Sequence, residues 1–225
     1  MPTYDSIAID GPAASGKSTV AKIVAKRLSF LYVDTGAMYR AFTLLMIEEK
    51  KDTQSLEDAK SLLPLFHVEE DREGRIFLNG RDVTERVRGE DVSHLVSYAC
   101  AHLPVRERCV EIQREIARKD SVVMDGRDIG TVVLPDATLK IYQVASVDAR
   151  ALRRYEEEKK KGSAASLEEI RKEIERRDYI DSHRENSPLR KAEDALLLDT
   201  SAMTVEEEAD WILARFAERK HGGAE

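Results

Sequence analysis

Eight residues near the amino end, Gly11-Pro12-Ala13-Ala14-Ser15-Gly16-Lys17-Ser18, carry the spacing G-x-x-x-x-G-K-S, the Walker A pattern. Glycine lets a chain wrap closely around phosphate, main-chain N–H groups point inward as donors, and the helix that follows offers its positive end. In such a loop Lys17 holds the β- and γ-phosphates and the Ser18 hydroxyl faces Mg2+. A plain Gly-rich turn is the bland alternative, and position decides against it. The pattern lies between an apolar run, Ser6 to Asp10, and a helical segment, Lys17 to Leu28, with apolar Val20, Ile23, Val24 and Leu28. The chemistry indicated is binding of a nucleoside triphosphate. No Asn-Lys-x-Asp tetrad for reading guanine occurs, which weakens a GTP-switch reading.

Arginines beside acidic residues recur at the predicted ends of strands and helices, where ligands gather in open sheets. Arg40 closes Asp34-Thr35-Gly36-Ala37-Met38-Tyr39-Arg40, in the first turns of a helix where it could fork onto a phosphate; a solvated surface arginine is the alternative. After Val122-Val123-Met124 comes Asp125-Gly126-Arg127-Asp128-Ile129-Gly130, either a polar turn or a site in which Arg127 grips phosphate and Asp128 accepts from an exocyclic amine. Ser97 and Arg106 flank Pro104 and alone say little. Arg177, Asp181 and Arg184, at i, i+4 and i+7, share one helical face, which reads equally as a solvent-facing ion-pair ladder. Arg150, Arg153 and Arg154, at i, i+3 and i+4, make a second one-faced stripe on a Lys- and Glu-rich segment, as a lid bringing cations to a transferring phosphoryl group would require. The histidines are dispersed and Cys100 and Cys109 form no Cys-x-x-Cys pattern, so no metal cluster is expected and the thiols read as buried.

These residues need a frame. The spacing predicts a strand over 6–10, the glycine loop, a helix over 17–28, a strand over 30–33 and a helix from Ala37 to about Lys50. Phe66-His67-Val68, Arg75 to Leu78 and Arg81 to Thr84 are short β-prone runs, and Asn79-Gly80 between the last two is a hairpin signal. Helical periodicity returns from about Val92 to Lys119, interrupted near Pro104; buried strands follow at 122–124 and 139–144. Beyond Ser146 the chain is charged and helical, with a break at Gly162-Ser163 and a capping box of Ser166 with Glu169 on a helix to about Tyr179. Leu196-Leu197-Leu198 predicts a last strand, and Thr204 with Glu207 caps a terminal helix facing Val205, Ala209, Ile212 and Phe216 inward; Trp211 reads as packing. The fold class expected is α/β, an open parallel β-sheet flanked by helices, with a small antiparallel β insert and a helical lid.

The 225 residues include 36 Lys+Arg and 43 Asp+Glu, a net charge of -7, which argues against general adhesion to nucleic acid or anionic membrane. At 42% hydrophobic and 35% charged, the chain should fold with charge-laced helices around a compact centre. The longest apolar runs fall far short of the roughly 18 residues needed to span a bilayer, and no signal-peptide core precedes Asp5 and Asp10. A soluble, cytoplasmic protein is expected, and a monomer for want of an apolar seam.

Taken together, Ile9-Asp10-Gly11-Pro12, Asp34 to Arg40, Asp125 to Val133, Arg177-Asp178-x-x-Asp181-x-x-Arg184 and Ser187-Pro188-Leu189 resemble the bacterial cytidylate kinases of the nucleoside monophosphate kinase family, over essentially the whole length. The insert around Ile76 to Gly80 is similar to the extra β-element of that group. The resemblance implies transfer of the γ-phosphoryl of ATP to CMP, and to dCMP, with Mg2+. It implies ATP binding by Gly11, Pro12, Ala13, Ala14, Ser15, Gly16, Lys17, Ser18, Thr19 and Arg154, and catalysis by Lys17, Arg127, Arg177 and Arg184. Cytosine would be read by Ser97, Arg106 and Asp128; the acceptor phosphate held by Arg40 and Arg127 near Thr35; the ribose met by Asp181 and Arg177, with Arg184 joining the phosphates. It also implies a core of residues 1–35, 103–150 and 188–225, a monophosphate-binding region over 36–102 and a lid over 151–187. The loop ends Gly16-Lys17-Ser18-Thr19 where some relatives have Gly-Lys-Gly-Thr, which leaves open whether Ser18 or Thr19 faces Mg2+. Another small kinase acting on a metabolite, or a nucleotide-binding regulatory module, are the alternatives.

Overall fold

Ile7, Ala8 and Ile9 are completely buried on one short strand, so both of its faces are covered, as a central parallel strand requires. In the computed structural model, which describes residues 4–160 and 162–221, that strand opens a chain of alternating elements. They run β1 (Ser6–Asp10), α1 (Lys17–Leu28), β2 (Leu31–Asp34), α2 (Thr35–Glu48), α3 (Leu56–Leu62), β3 (Val68–Glu70), β4 (Ile76–Leu78) and β5 (Arg81–Asp82). Then follow α4 (Glu90–Ala99), α5 (Leu103–Ala117), β6 (Val122–Gly126), β7 (Leu139–Val144), α6 (Val147–Lys160), α7 (Leu167–His183), β8 (Leu196–Asp199) and α8 (Val205–His221).

The main sheet is parallel throughout, in the order β2-β6-β1-β7-β8, and β3-β4-β5 form a separate antiparallel sheet. Side chains alternate across β1. Ala8, with Val33 and Met124, packs under α2, α4, α5 and the insert, whereas Ile7 and Ile9, with Val123 and Ile141, pack under α1 and α8. Register sets the site: Asp10 lies opposite Gly126, and Asp34 opposite Asp125, so the carboxyl ends of three strands meet at one edge. A third, small apolar cluster of Ala151, Ile170 and Ile174 joins α6 to α7.

The expected fold class is therefore the one observed, with local differences. Helix α2 begins at Thr35 rather than Ala37, because the Asp34 side chain accepts from the Ala37 N–H and caps it. The first insert strand is displaced from 66–68 to Val68–Glu70, and the third is cut to two residues because the Asp82 side chain folds back onto Thr84. Asn79 and Gly80, at φ 51° and 79°, form the expected hairpin turn. Pro104 sits in the first turn of α5 and starts that helix instead of interrupting one, since its missing N–H would have no partner there. Helix α7 has the expected Ser166–Glu169 capping box but runs to His183. Helix α3, capped by Ser55 on the Asp58 N–H, adds an element that the apolar periodicity does not signal. Cys100 and Cys109 are buried free thiols. No helix among the described residues is long and apolar enough to cross a membrane.

Candidate active site

The loop Gly11–Ser18 joins β1 to α1, and its glycines do different things. Gly11 is pressed against β7, where an added Cβ would lie 2.1 Å from the Gln143 carbonyl oxygen. Gly16, at φ 91°, caps α1 without any side-chain hydrogen bond, so the first N–H groups of the helix stay available to an anion. Lys17 folds back over the loop, its Nζ donating to the Pro12 carbonyl at 2.8 Å and to Ser15 Oγ at 3.3 Å. Burial, and then the neighbouring Arg127, push the Lys17 ammonium down to about 7.

Ser18 Oγ donates to Asp125 Oδ2 at 2.7 Å, and Tyr32 OH donates to Asp125 Oδ1 at 2.8 Å. Asp125 lies next to the last residue of β6, beside the strand that feeds the loop; burial, then Asp34, raise its carboxyl above the ordinary range. A hydroxyl and a carboxylate this close are hard oxygen donors, the set a small divalent cation takes when most of its shell comes from phosphate and water. The donor set therefore fits a metal carried with ATP. Asp10, buried beneath the loop, accepts from the Ile129 and Gly130 N–H groups at 2.7 Å each, and burial still lifts it to about 6.

Facing the loop is a wall of guanidinium groups, all but Arg177 steadied by an acid. Arg40 is held by Asp34 at 3.1 Å, with Arg88 on the same carboxylate at 3.6 Å. Arg127 Nε donates to Asp181 Oδ2 at 2.8 Å. Burial alone would raise the Asp181 carboxyl, but Arg127 and Arg184 outweigh it and hold it below the usual range. Deeper in, Arg106 and Asp128 form a buried pair at 2.5 Å, Arg184 lies 3.6 Å from the other Asp128 oxygen, and the Arg106 guanidinium sits over the Tyr39 ring. Arg177 is the least compensated: burial, then Arg127, lower it to about 10. Buried Nε of Arg40, Arg106 and Arg177 and Nη2 of Arg184 have no hydrogen-bond partner among the described residues. Donors left in that state are expensive unless an anion or a polar base completes them.

One cleft of about 380 Å3 takes in Ala13 to Thr19, Thr35, Arg40, Ser97, Arg106, Arg127, Asp128, Arg154, Arg177, Asp181 and Arg184. The candidate residues of widely separated segments thus meet at one place. Gly11 and Pro12 stand behind the loop and do not line the cleft: Gly11 serves close packing and Pro12 offers its carbonyl to Lys17. Arg177, Asp181 and Arg184 form no solvent-facing ladder, since Asp181 is buried and Arg184 is capped by the Ser187 carbonyl at 2.8 Å. The stripe on α6 is divided. Arg153 and Arg154 reach the cleft, whereas Arg150 turns inward to Ala13 and Asp178. Thr35 spends its hydroxyl on the Asp125 carbonyl at 2.7 Å.

Asp125, Tyr32, Glu70 and Asp178 carry roles that the sequence pattern does not reveal. Glu70 Oε2, on β3, accepts the Asp34 N–H at 3.0 Å, and burial, then Asp34, raise that carboxyl to about 8. The one available signal was for Asp125, an acid closing a fully apolar strand.

A family model described as cytidylate kinase matches residues 7–218. The cytidylate kinase of Bacillus subtilis (strain 168) is 53% identical over 211 residues, covering 92% of this chain and 94% of its own. That of Bacillus velezensis is 54% identical over 211 residues, with coverages of 92% and 94%. Among solved structures, an uncharacterized protein from Eubacterium ventriosum matches with a TM-score of 0.53 at 13% identity, covering 95% of this chain and 98% of its own. A gluconokinase from Sinorhizobium meliloti matches with a TM-score of 0.50 at 14% identity over 100% of both chains. At those identities the two structures speak for the fold alone.

Proposed function

This chain belongs to the cytidylate kinase family, and from that membership we infer that it transfers the γ-phosphoryl group of ATP to CMP, giving ADP and CDP. Deoxycytidylate is accepted as well. The observation that carries the reading is the opening of a triphosphate loop and a buried Arg106–Asp128 pair into the same cleft.

Cytosine presents an N4 amine with acceptors at N3 and O2, matching Asp128 and Arg106; uracil presents O4, an acceptor, to the carboxylate. Ser97, buried at the same end, completes the base pocket. Arg40 and Arg127, with Thr35 beside them, take the acceptor phosphate, Asp181 and Arg177 the ribose, and Arg184 the phosphates. Ala14 to Thr19, with Arg154, hold the donor, on a loop whose path Gly11, Pro12 and Ala13 set. The acceptor phosphate is already anionic, so no general base is needed. Lys17, Arg127, Arg177 and Arg184 align the two phosphates in line and neutralise charge as it spreads over the transferred oxygens. Mg2+ supplies additional charge neutralisation at the donor phosphates when bound. Ser18 and Asp125 would hold it on the protein side, and the 2.7 Å contact between them favours Ser18 over Thr19.

Residues 1–35, 103–150 and 188–225 act as the core, 36–102 as the monophosphate-binding region and 151–187 as the lid. The protein works in the cytoplasm as a monomer. Family membership sets aside a metabolite kinase and a regulatory module. An ADP-coupled assay with CMP, dCMP, UMP, AMP, GMP and gluconate tests the reading: turnover should be largest with CMP and dCMP. ATP binding without phosphorylation of any nucleoside monophosphate would overturn it.

A further inference from the structure

Ala14, in the middle of the phosphate loop, has φ 56°, a left-handed conformation that an alanine adopts only where its surroundings impose it. The surroundings are specific. The Ala13 N–H donates to Asp178 Oδ1 at 3.0 Å, and the Ala13 carbonyl accepts from Arg150 Nη1 at 2.9 Å. The same Nη1 bonds Asp178 Oδ2 at 2.6 Å, closing a ring of three groups around one residue of the loop. Asp178 lies on α7 and Arg150 on α6, and the Ala14 methyl packs against the Ala151–Ile170–Ile174 cluster that joins those helices. Arg150 is buried, with its Nε tied to the Ala145 carbonyl at 3.0 Å.

We propose that Asp178 and Arg150 are positioning residues for the donor nucleotide. They grip Ala13 from both sides, hold Ala14 left-handed and so fix the directions of the loop N–H groups. The same two helices carry Arg153, Arg154 and Arg177 into the cleft, so the ring also sets the loop and those arginines in one frame. Neither residue lines the cleft, so their effect on ATP travels through Ala13. Asp178 takes up an N–H that a phosphate would otherwise attract, which assigns Ala13 to the frame and leaves the amides after it to the ligand. The proposal rests on the kinase reading only for its kinetic arm.

The test uses the whole protein with Asp178→Ala, Asp178→Asn and Arg150→Met. The Asn variant keeps the acceptor for Ala13 N–H and removes the charge facing Arg150, and it is isosteric, so it stays informative if the truncation fails to fold. ATP binding is measured by calorimetry without acceptor, and KM values for ATP and CMP are measured separately. Losing hydrogen bonds to a charged group should raise the Kd and KM for ATP roughly tenfold to a hundredfold in Asp178→Ala, and less in Asp178→Asn. KM for CMP should stay within about twofold. Because the ring is one unit, Asp178→Asn with Arg150→Met should cost less than the product of the single effects. Equal rises in both KM values, an unchanged ATP Kd, or strictly multiplicative effects would each overturn the proposal. If the wild type phosphorylated no monophosphate, the kinase reading would fail while the calorimetric arm still decided this one.

Discussion

Replacing Asp128 by Asn exchanges an acceptor for a donor at the edge where cytosine and uracil differ, with almost no change in shape. Asp128 is 3% exposed and already shares one oxygen with Arg106 at 2.5 Å. A carboxylate has about four lone-pair sites, so it can serve Arg106 and an exocyclic amine together. Hydrogen bonds to charged groups are worth about 1.5–3 kcal/mol, which at 1.36 kcal/mol per decade is roughly a tenfold to 150-fold loss of kcat/KM for CMP. An Asn amide turned toward uracil O4 should recover part of that for UMP, so the CMP:UMP ratio is expected to fall by about two orders of magnitude. Alanine would be the poorer probe, because truncating one partner of a buried pair costs about 3–5 kcal/mol and confuses folding with recognition. The assay is ADP release with each nucleotide, alongside thermal unfolding of the variant. An unchanged ratio in a folded Asp128→Asn protein would place base reading elsewhere and refute the assignment.

Two further outcomes follow from buried charge. Phosphate should raise the depressed Lys17, so ATP binding at pH 8 takes up protons. The binding enthalpy should then depend on the buffer's ionisation enthalpy, and Lys17→Met should abolish that dependence while cutting turnover roughly 10²–10³-fold; buffer-independent enthalpies in the wild type would refute it. Glu70 has its folded-state value raised from 4.5 to about 8, so the stability linked to it is full below 4.5 and lost as pH rises through about 8. Glu70→Gln should therefore leave Tm nearly unchanged at pH 5 and raise it by several degrees at pH 9, within a ceiling of roughly 5 kcal/mol. An equal offset at both pH values would show that packing, not ionisation, governs the change.

The parts of the site that could be read from the chain are those whose meaning is local. Lys17 and Ser18 sit at fixed offsets from Gly11 and Gly16 on a strand–loop–helix, and Arg177, Asp181 and Arg184 follow helical spacing. Asp125 could not be assigned because its partner, Ser18, is 107 residues away and comes alongside only when β6 inserts between β1 and β2. Glu70 was hidden for another reason. Whether it faces Asp34 or solvent depends on the register of a three-residue strand, and a slip of one residue would reverse it. Arg150 was misread by its neighbours: spacing alone groups it with Arg153 and Arg154, and only the packing of α6 on α7 shows that it points at the loop.

A chain with net charge -7 has to hold two polyanions in one cleft, and the pairing of its arginines explains how. Arg40, Arg106, Arg127 and Arg154 each have a carboxylate partner within the protein, so the local field is far weaker than a count of guanidinium groups suggests. Such pairs fix direction and let a ligand share a partner without a large reorganisation. Arg177 differs. Burial and Arg127 lower it to about 10, and its Nε is unpartnered, so its charge is the most poorly solvated of the group. A phosphate or a ribose hydroxyl arriving beside Arg177 relieves a cost already present in the free protein, whereas one arriving beside Arg106 must compete with Asp128. The paired arginines therefore confer orientation, and the uncompensated one contributes the larger share of attraction.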